Sequence, residues 1–225
     1  MNTLIQHLHT QASAAQVLAY LQADNRSYAD FYQDVSLEAQ CLLTLPETTW
    51  ALWCEDSYAF AVRFFALLLA GKTVVLPPNR IAATVSQLAE QGIAFYDGKP
   101  DAQSFTAIAA VWPNIDWEQA AVVFFTSGST GTPKKIHRTM GQLMREVDVL
   151  QTLFPWPATT TVFATVSHQH LFGLCYKILL PMQQGAAFVN EQCQYPEDLA
   201  LAYFFFLMIR RPPRSTRSDR RCHRA

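Results

Sequence analysis

Within residues 49–78 a strand, a helix and a second strand follow one another, and this run limits the fold more than any other stretch. TWALWC (49–54) is a short apolar run suited to a buried strand. Asp56 or Ser57 can cap a helix that runs over apolar residues to about Ala70, where Gly71 stops it. TVVLPP (73–78) is a β-branched strand closed by two prolines. A helical connection of that length places the two strands side by side and parallel. The alternation then continues. Residues 81–91 suit a helix, Gly92 a stop and residues 93–96 a strand; AVVFF (121–125) is a further buried strand. Met140, Leu143, Met144, Val147, Leu150 and Phe154 recur at helical spacing between a Thr139 cap and Pro155. Residues 160–166 read as a strand, 171–180 as a helix closed by Pro181, 186–189 as a strand, and YPEDLA (195–200) as the start of a helix. The expected class is α/β: a layered, largely parallel sheet flanked by helices.

Composition narrows the function. Half of the 225 residues are apolar and 16% are charged, enough for a large core in one or two domains. The net charge of −1 hides an asymmetry, because seven of the 17 basic residues are arginines from Arg210 onward. The body before them carries a net −7, which argues against a nucleic-acid partner. The five cysteines are scattered and odd in number, as buried thiols of a reducing compartment are. Residues 1–16 hold no Lys or Arg, so they do not read as a signal peptide. The apolar run 58–70 is shorter than the roughly 20 residues that span a bilayer. A cytoplasmic protein without stable membrane insertion is expected.

The chemistry is concentrated after the strand 121–125. FFTSGSTGTPKK (124–135) spends two of the chain's eight glycines among hydroxyl residues and ends on two lysines. Glycines let a backbone approach an anion, and successive N–H groups form a concave nest for phosphate. Thr126, Ser127, Gly128, Ser129, Thr130, Gly131 and Thr132 supply the amides and hydroxyls, and Lys134 supplies a point charge. The spacing fits neither the Walker A pattern nor GxGxxG. A flexible surface turn is the plain alternative; the buried strand before the loop and the lysines after it weigh against that.

The stretch Thr126 to Lys134 meets every specified position of T-S-G-S-T-G-x-P-K, and on that motif the chain resembles the adenylate-forming superfamily. This superfamily includes acyl-CoA and acyl-carrier-protein synthetases, aryl-acid ligases, peptide-synthetase adenylation domains and luciferases. Lys135 departs from the pattern, since most members carry Gly there. A second block, VSHQHLFGL (166–174), resembles the family's segment in which a His precedes two apolar residues and a Gly, which singles out His170. A third, CEDSYAFAVRFFALLLAGKTVVLPPN (54–79), resembles the helix and strand that precede the phosphate loop. The likeness covers about 49–200 and extends to a helix starting near Ser27.

The resemblance implies ATP-dependent activation of a carboxylic acid to an acyl-adenylate, followed by thioester formation on CoA or a phosphopantetheine carrier. Lys134 and His170 are the implied catalytic residues, and Thr126, Ser127, Gly128, Ser129, Thr130, Gly131, Thr132 and Lys134 the implied nucleotide-binding ones. Implied cofactors are ATP, Mg2+, and CoA or a phosphopantetheine carrier; an acyl-carrier protein is an implied partner. The wording of the His170 block is nearest to stand-alone synthetases, which suggests a fatty, hydroxy-fatty or aromatic acid. An adenylation domain of a peptide synthetase or an aryl-acid ligase is an alternative. So, from another class, is a nucleotide- or nucleic-acid-binding protein without catalysis.

Two features need weighing separately. His168 and His170 form an HxH pair that could share a metal on a strand, but no Asp or Glu lies between Asp148 and Glu191 to support one. No metal site is expected there. His168 then reads as a polar residue at a strand end, and His7 and His9 as ordinary polar residues. The end of the chain, FFFLMIRRPPRSTRSDRRCHRA, breaks every earlier pattern and resembles a translated sequencing adapter. On that reading residues 1–202 are a partial N-terminal AMP-binding domain and 203–225 a non-native, disordered tail. The family's magnesium Glu, ribose Asp and C-terminal catalytic Lys would then lie outside this chain, which would be an inactive fragment.

Overall fold

The computed structural model describes residues 15–22, 24–98, 116–126, 134–193, 195 and 197–200. In chain order the elements are β1 (Val17–Tyr20), β2 (Asn25–Ser27), α1 (Tyr28–Leu43), β3 (Thr49–Ala51), α2 (Ser57–Leu69), β4 (Thr73–Leu76), α3 (Ala82–Glu90), β5 (Ala94–Phe95), β6 (Ala121–Thr126), β7 (Lys134–Thr139), α4 (Met140–Leu153), β8 (Thr161–Val162), α5 (Leu171–Gly173), α6 (Leu180–Gln183) and β9 (Ala187–Val189). A π-helix, Leu174–Leu179, joins α5 to α6. The strands form two sheets, ordered β5-β3-β4-β6-β7 and β2-β1-β9-β8. In the first, β3, β4, β5 and β6 are mutually parallel. In the second, β1, β8 and β9 are parallel. The antiparallel pairs are β6–β7 and β1–β2. The α/β class and the parallel βαβ units stand, but the sheet is divided in two.

The first βαβ unit forms as its sequence dictates. Asp56 caps α2 by accepting from the Ala59 amide at 2.7 Å. Gly71 ends the helix at φ 70°, a left-handed conformation that side chains disfavour. Every residue of α2 except Ala59 and Arg63 is buried. This is what a helix enclosed on all sides requires. One core cluster takes in α1, α2, α4, the π-helix and the inner faces of both sheets, while a smaller one lies between the first sheet and α3. The helices therefore form a layer between the sheets, with α3 outside. Arg63, the one charge within α2, reaches Glu38 of α1 at 3.8 Å. Capping boxes start α1 at Ser27 and Asp30 and α4 at Thr139 and Gln142.

Three local expectations are corrected. KKIHRT is a strand, not the end of a loop; its side chains are exposed except at Ile136 and Thr139, so it carries no apolar run to announce it. The strand expected over 160–166 shrinks to β8, and the following residues turn. Pro181 does not close its helix, which continues to Gln183. A proline ring clashes with the carbonyl four residues back and donates no hydrogen bond. The wider π turn just before Pro181 accommodates that loss.

Candidate functional site

Parallel strands expose a crevice at their carboxyl ends, where α/β proteins seat ligands. Here the carboxyl ends of β3 and β9, one from each sheet, are tied together by buried polar groups. Asn190, the residue after β9, accepts from the Tyr58 amide at 2.8 Å through Oδ1 and donates from Nδ2 to Asp56 at 2.7 Å. The Ser57 hydroxyl donates to the Asn190 carbonyl at 2.6 Å. The loop that follows β8 supplies His168. Its Nε2 lies 2.7 Å from the Cys54 carbonyl and its Nδ1 3.0 Å from Ser57 Oγ. The ring packs on Phe60, centroids 4.6 Å apart. Gln169 also donates to the Cys54 carbonyl, at 2.5 Å.

Burial pushes the His168 pKa down to about 4, so its imidazole is neutral at pH 7. The nitrogen facing the Cys54 carbonyl must then carry the ring proton. Nδ1 is left as an acceptor, and the single Ser57 proton has two acceptors in reach. Lys177, on the π-helix, is also buried and donates to the carbonyls of Asn190 at 3.1 Å and Glu191 at 3.2 Å. Burial lowers its pKa to about 8, with Glu191, Cys193 and Asp56 opposing the fall.

The predicted histidine pair separates. His168 is 2% exposed with both nitrogens engaged, whereas His170 is exposed at the N-cap of α5. His168 is thus a buried tie between the sheets and not a polar strand end. Gly173 has a steric reason. A Cβ there would lie 2.0 Å from the Ser167 carbonyl oxygen, so only glycine lets α5 approach the loop that carries both histidines. Beside this loop is a cavity of about 270 Å³, lined in part by Trp156, Phe163, Thr165, Phe172, Tyr176 and Lys177. The Phe172 and Tyr176 rings stack at 4.2 Å.

Ser127, Gly128, Ser129, Thr130, Gly131 and Thr132 lie outside the described residues. What brackets them is described: Thr126 ends β6, Lys134 begins β7, and the two are paired partners. The loop therefore starts at the carboxyl end of a parallel strand and returns on its neighbour. Lys134 is exposed. Lys135 points to the other face of the sheet, where it bonds the Gln91 side chain and sits 5.9 Å from the Phe125 ring centroid. Sequence reasoning read Asp56 and Ser57 only as candidate helix caps and missed Lys177 and Asn190. Only Lys177 left a signal, as the one charge in the otherwise largely apolar run 171–182.

Residues 78–202, more than half of the chain, match the profile of AMP-binding enzymes. The chain belongs to the AMP-binding enzyme family. Among its relatives, 4-coumarate–CoA ligase of Rhodobacter capsulatus is 45% identical over 73 residues, which are 31% of this chain and 19% of that protein. The mitochondrial malonate–CoA ligase ACSF3 of Xenopus laevis is 29% identical over 77 residues, 34% of this chain and 13% of the relative. The matches thus span under a fifth of the length of these curated relatives. Among solved structures, the anthranilate CoA ligase AuaEII in complex with anthranoyl-AMP superposes with a TM-score of 0.68 at 13% identity, over 94% of this chain and 48% of that one. The o-succinylbenzoate CoA synthetase of Bacillus subtilis, in complex with its acyl-adenylate, superposes at 0.69 and 16% identity, over 91% and 59%. At such identities these likenesses establish the fold of this AMP-binding chain. Among its described residues no helix is long and apolar enough to cross a membrane. Among the same residues no three His, Cys, Asp or Glu side chains gather as metal ligands would.

Proposed function

We propose that the complete protein activates a carboxylic acid with ATP. The acid's carboxylate oxygen attacks the α-phosphorus, the bond to the β-phosphate breaks, and pyrophosphate leaves an acyl-adenylate. A thiol, of CoA or of a phosphopantetheine arm on a carrier protein, then attacks the acyl carbon and AMP leaves. The first step asks for charge stabilisation more than covalent chemistry. Backbone amides and hydroxyls from Thr126 to Thr132, with Lys134, hold the β- and γ-phosphates while charge builds on the leaving group. His170 orients the reacting carboxylate.

The observation that carries this reading is the family match over 78–202, which includes both the loop motif and the His170 block. The fixed start and return of the loop at the carboxyl edge of the sheet support it. Of the acids considered, an aromatic one suits the cavity best, because Trp156, Phe163, Phe172 and Tyr176 offer flat apolar walls. This chain covers about half of the superposed anthranilate ligase and under two thirds of the o-succinylbenzoate synthetase, so turnover is proposed for the complete protein and nucleotide binding for this chain. ATP–pyrophosphate exchange tests the reading. Thr130→Ala or Lys134→Ala is expected to slow exchange by about 100-fold or more, the usual loss on removing a preorganised donor. Unchanged exchange in both variants overturns the assignment.

A further inference from the structure

A tight turn over residues 167–170 presents His170. The His170 amide donates to the Ser167 carbonyl at 3.2 Å, and the Gln169 amide donates to the Ser167 hydroxyl at 3.2 Å. The His170 carbonyl accepts from the Leu174 amide at 2.8 Å, so both backbone groups of His170 are engaged where α5 starts. The two central residues of the turn, His168 and Gln169, are 2% and 3% exposed, while His170, which closes it, is exposed. Both central side chains donate to one acceptor, the Cys54 carbonyl beyond the end of β3.

Stability does not require the Gln169 bond. One donor is enough to satisfy a buried carbonyl, and His168 already supplies it. Gln169 meanwhile buries its Oε1 with no hydrogen-bond partner among the described residues. An apolar side chain of similar size would avoid that cost. What the second bond adds is orientation. Anchors on two consecutive residues fix the turn against rotation, which a single anchor does not, and so fix the direction in which the His170 side chain leaves it.

We propose that Gln169 is a positioning residue: its bond to the Cys54 carbonyl holds the turn 167–170 so that His170 meets the reacting carboxylate, at a cost in stability. The inference rests on the acid-activation reading for the role of His170. It adds a residue that reaches the chemistry only through its neighbour. Misplacing a reacting group by about 1 Å can lower a rate by about 100-fold, so a small rotation of the turn is enough to matter.

The test is Gln169→Met, which nearly conserves volume and removes both the donor and the unpartnered acceptor. In the complete protein, pyrophosphate exchange is followed with ATP and whichever of benzoate, 4-hydroxybenzoate and octanoate exchanges fastest. The maximal rate is expected to fall about tenfold or more with the KM for ATP unchanged. In the 225-residue chain the urea midpoint is expected to stay level or rise, whereas loss of a merely structural contact would lower it. In a His170→Ala background Gln169→Met should cause no further loss of exchange, because the residue it positions is gone. An unchanged exchange rate, a fall in exchange and urea midpoint together, or losses that multiply with His170→Ala overturn the proposal. Wild-type exchange that Gln169→Met leaves intact removes only the positioning role. No wild-type exchange with any of the three acids removes the adenylation reading and the positioning role with it.

Discussion

Gly173 is held in place by a close contact and not by its backbone angle. Adding a methyl group there forces the Ser167 carbonyl away and shifts the loop bearing His168 and His170. Gly173→Ala is expected to destabilise the chain by about 1–3 kcal/mol, the usual range for overpacking, seen as a lower urea midpoint. His168 sets a pH dependence. Its folded pKa of about 4 lies below the ordinary 6.5, so the unfolded chain binds the proton more readily. Its contribution is complete above pH 6.5 and is lost as pH falls from 6.5 to 4. The loss is on the order of 3 kcal/mol. Lys177, Asp56 and His170 face the same ring, so the wild type must be compared with His168→Gln, whose stability should fall less between pH 7 and 4.5. At this scale the sequence speaks where residue types carry chemistry in a fixed order, as in the loop motif and the HLFG block. Ser57 and Asn190 stayed hidden because they meet across 133 positions, which no local pattern encodes.

Elements were legible where burial writes a period into the chain. TWALWC, the α2 run and TVVLPP gave their strands and helix, with caps and stops within a residue or two. β7 was not legible because an exposed edge strand is free to be polar, and KKIHRT uses that freedom. The π-helix was hidden for another reason: a proline in a helical pattern reads as a terminus, although widening the turn also satisfies it. The helix starts offer a graded test. Thr139→Ala removes one side of an exposed capping box and should lower stability by about 1 kcal/mol. Asp56→Ala removes the α2 cap and also leaves the buried Asn190 amide without its acceptor. Its urea midpoint should fall further than that of Thr139→Ala; an equal fall would mean that the Asp56–Asn190 bond contributes nothing to holding the sheets together.

For the whole molecule, the sequence predicted the layered α/β class but not its division into two sheets, because sheet membership is decided by contacts between distant strands. β1 and β9 pair across most of the described chain. Several large apolar side chains remain exposed, among them Leu43 on α1 and Val149, Leu153 and Phe154 at the end of α4. Val149 and Leu153 lie one turn apart on the same helix face. The 225-residue chain is therefore expected to self-associate with rising concentration in sedimentation velocity, and Val149→Glu with Leu153→Lys should shift it toward monomer. Residues 203–225, proposed as a foreign tail, lie outside the described residues. Their deletion should leave the urea midpoint unchanged, and a fall would make them part of the fold. A crystal structure with a non-hydrolysable ATP analogue decides whether the turn between β6 and β7 is the phosphate grip. The β- and γ-phosphates are expected against the amides of residues 127–131 and the Lys134 ammonium; a triphosphate seated elsewhere, with that turn untouched, would contradict the assignment.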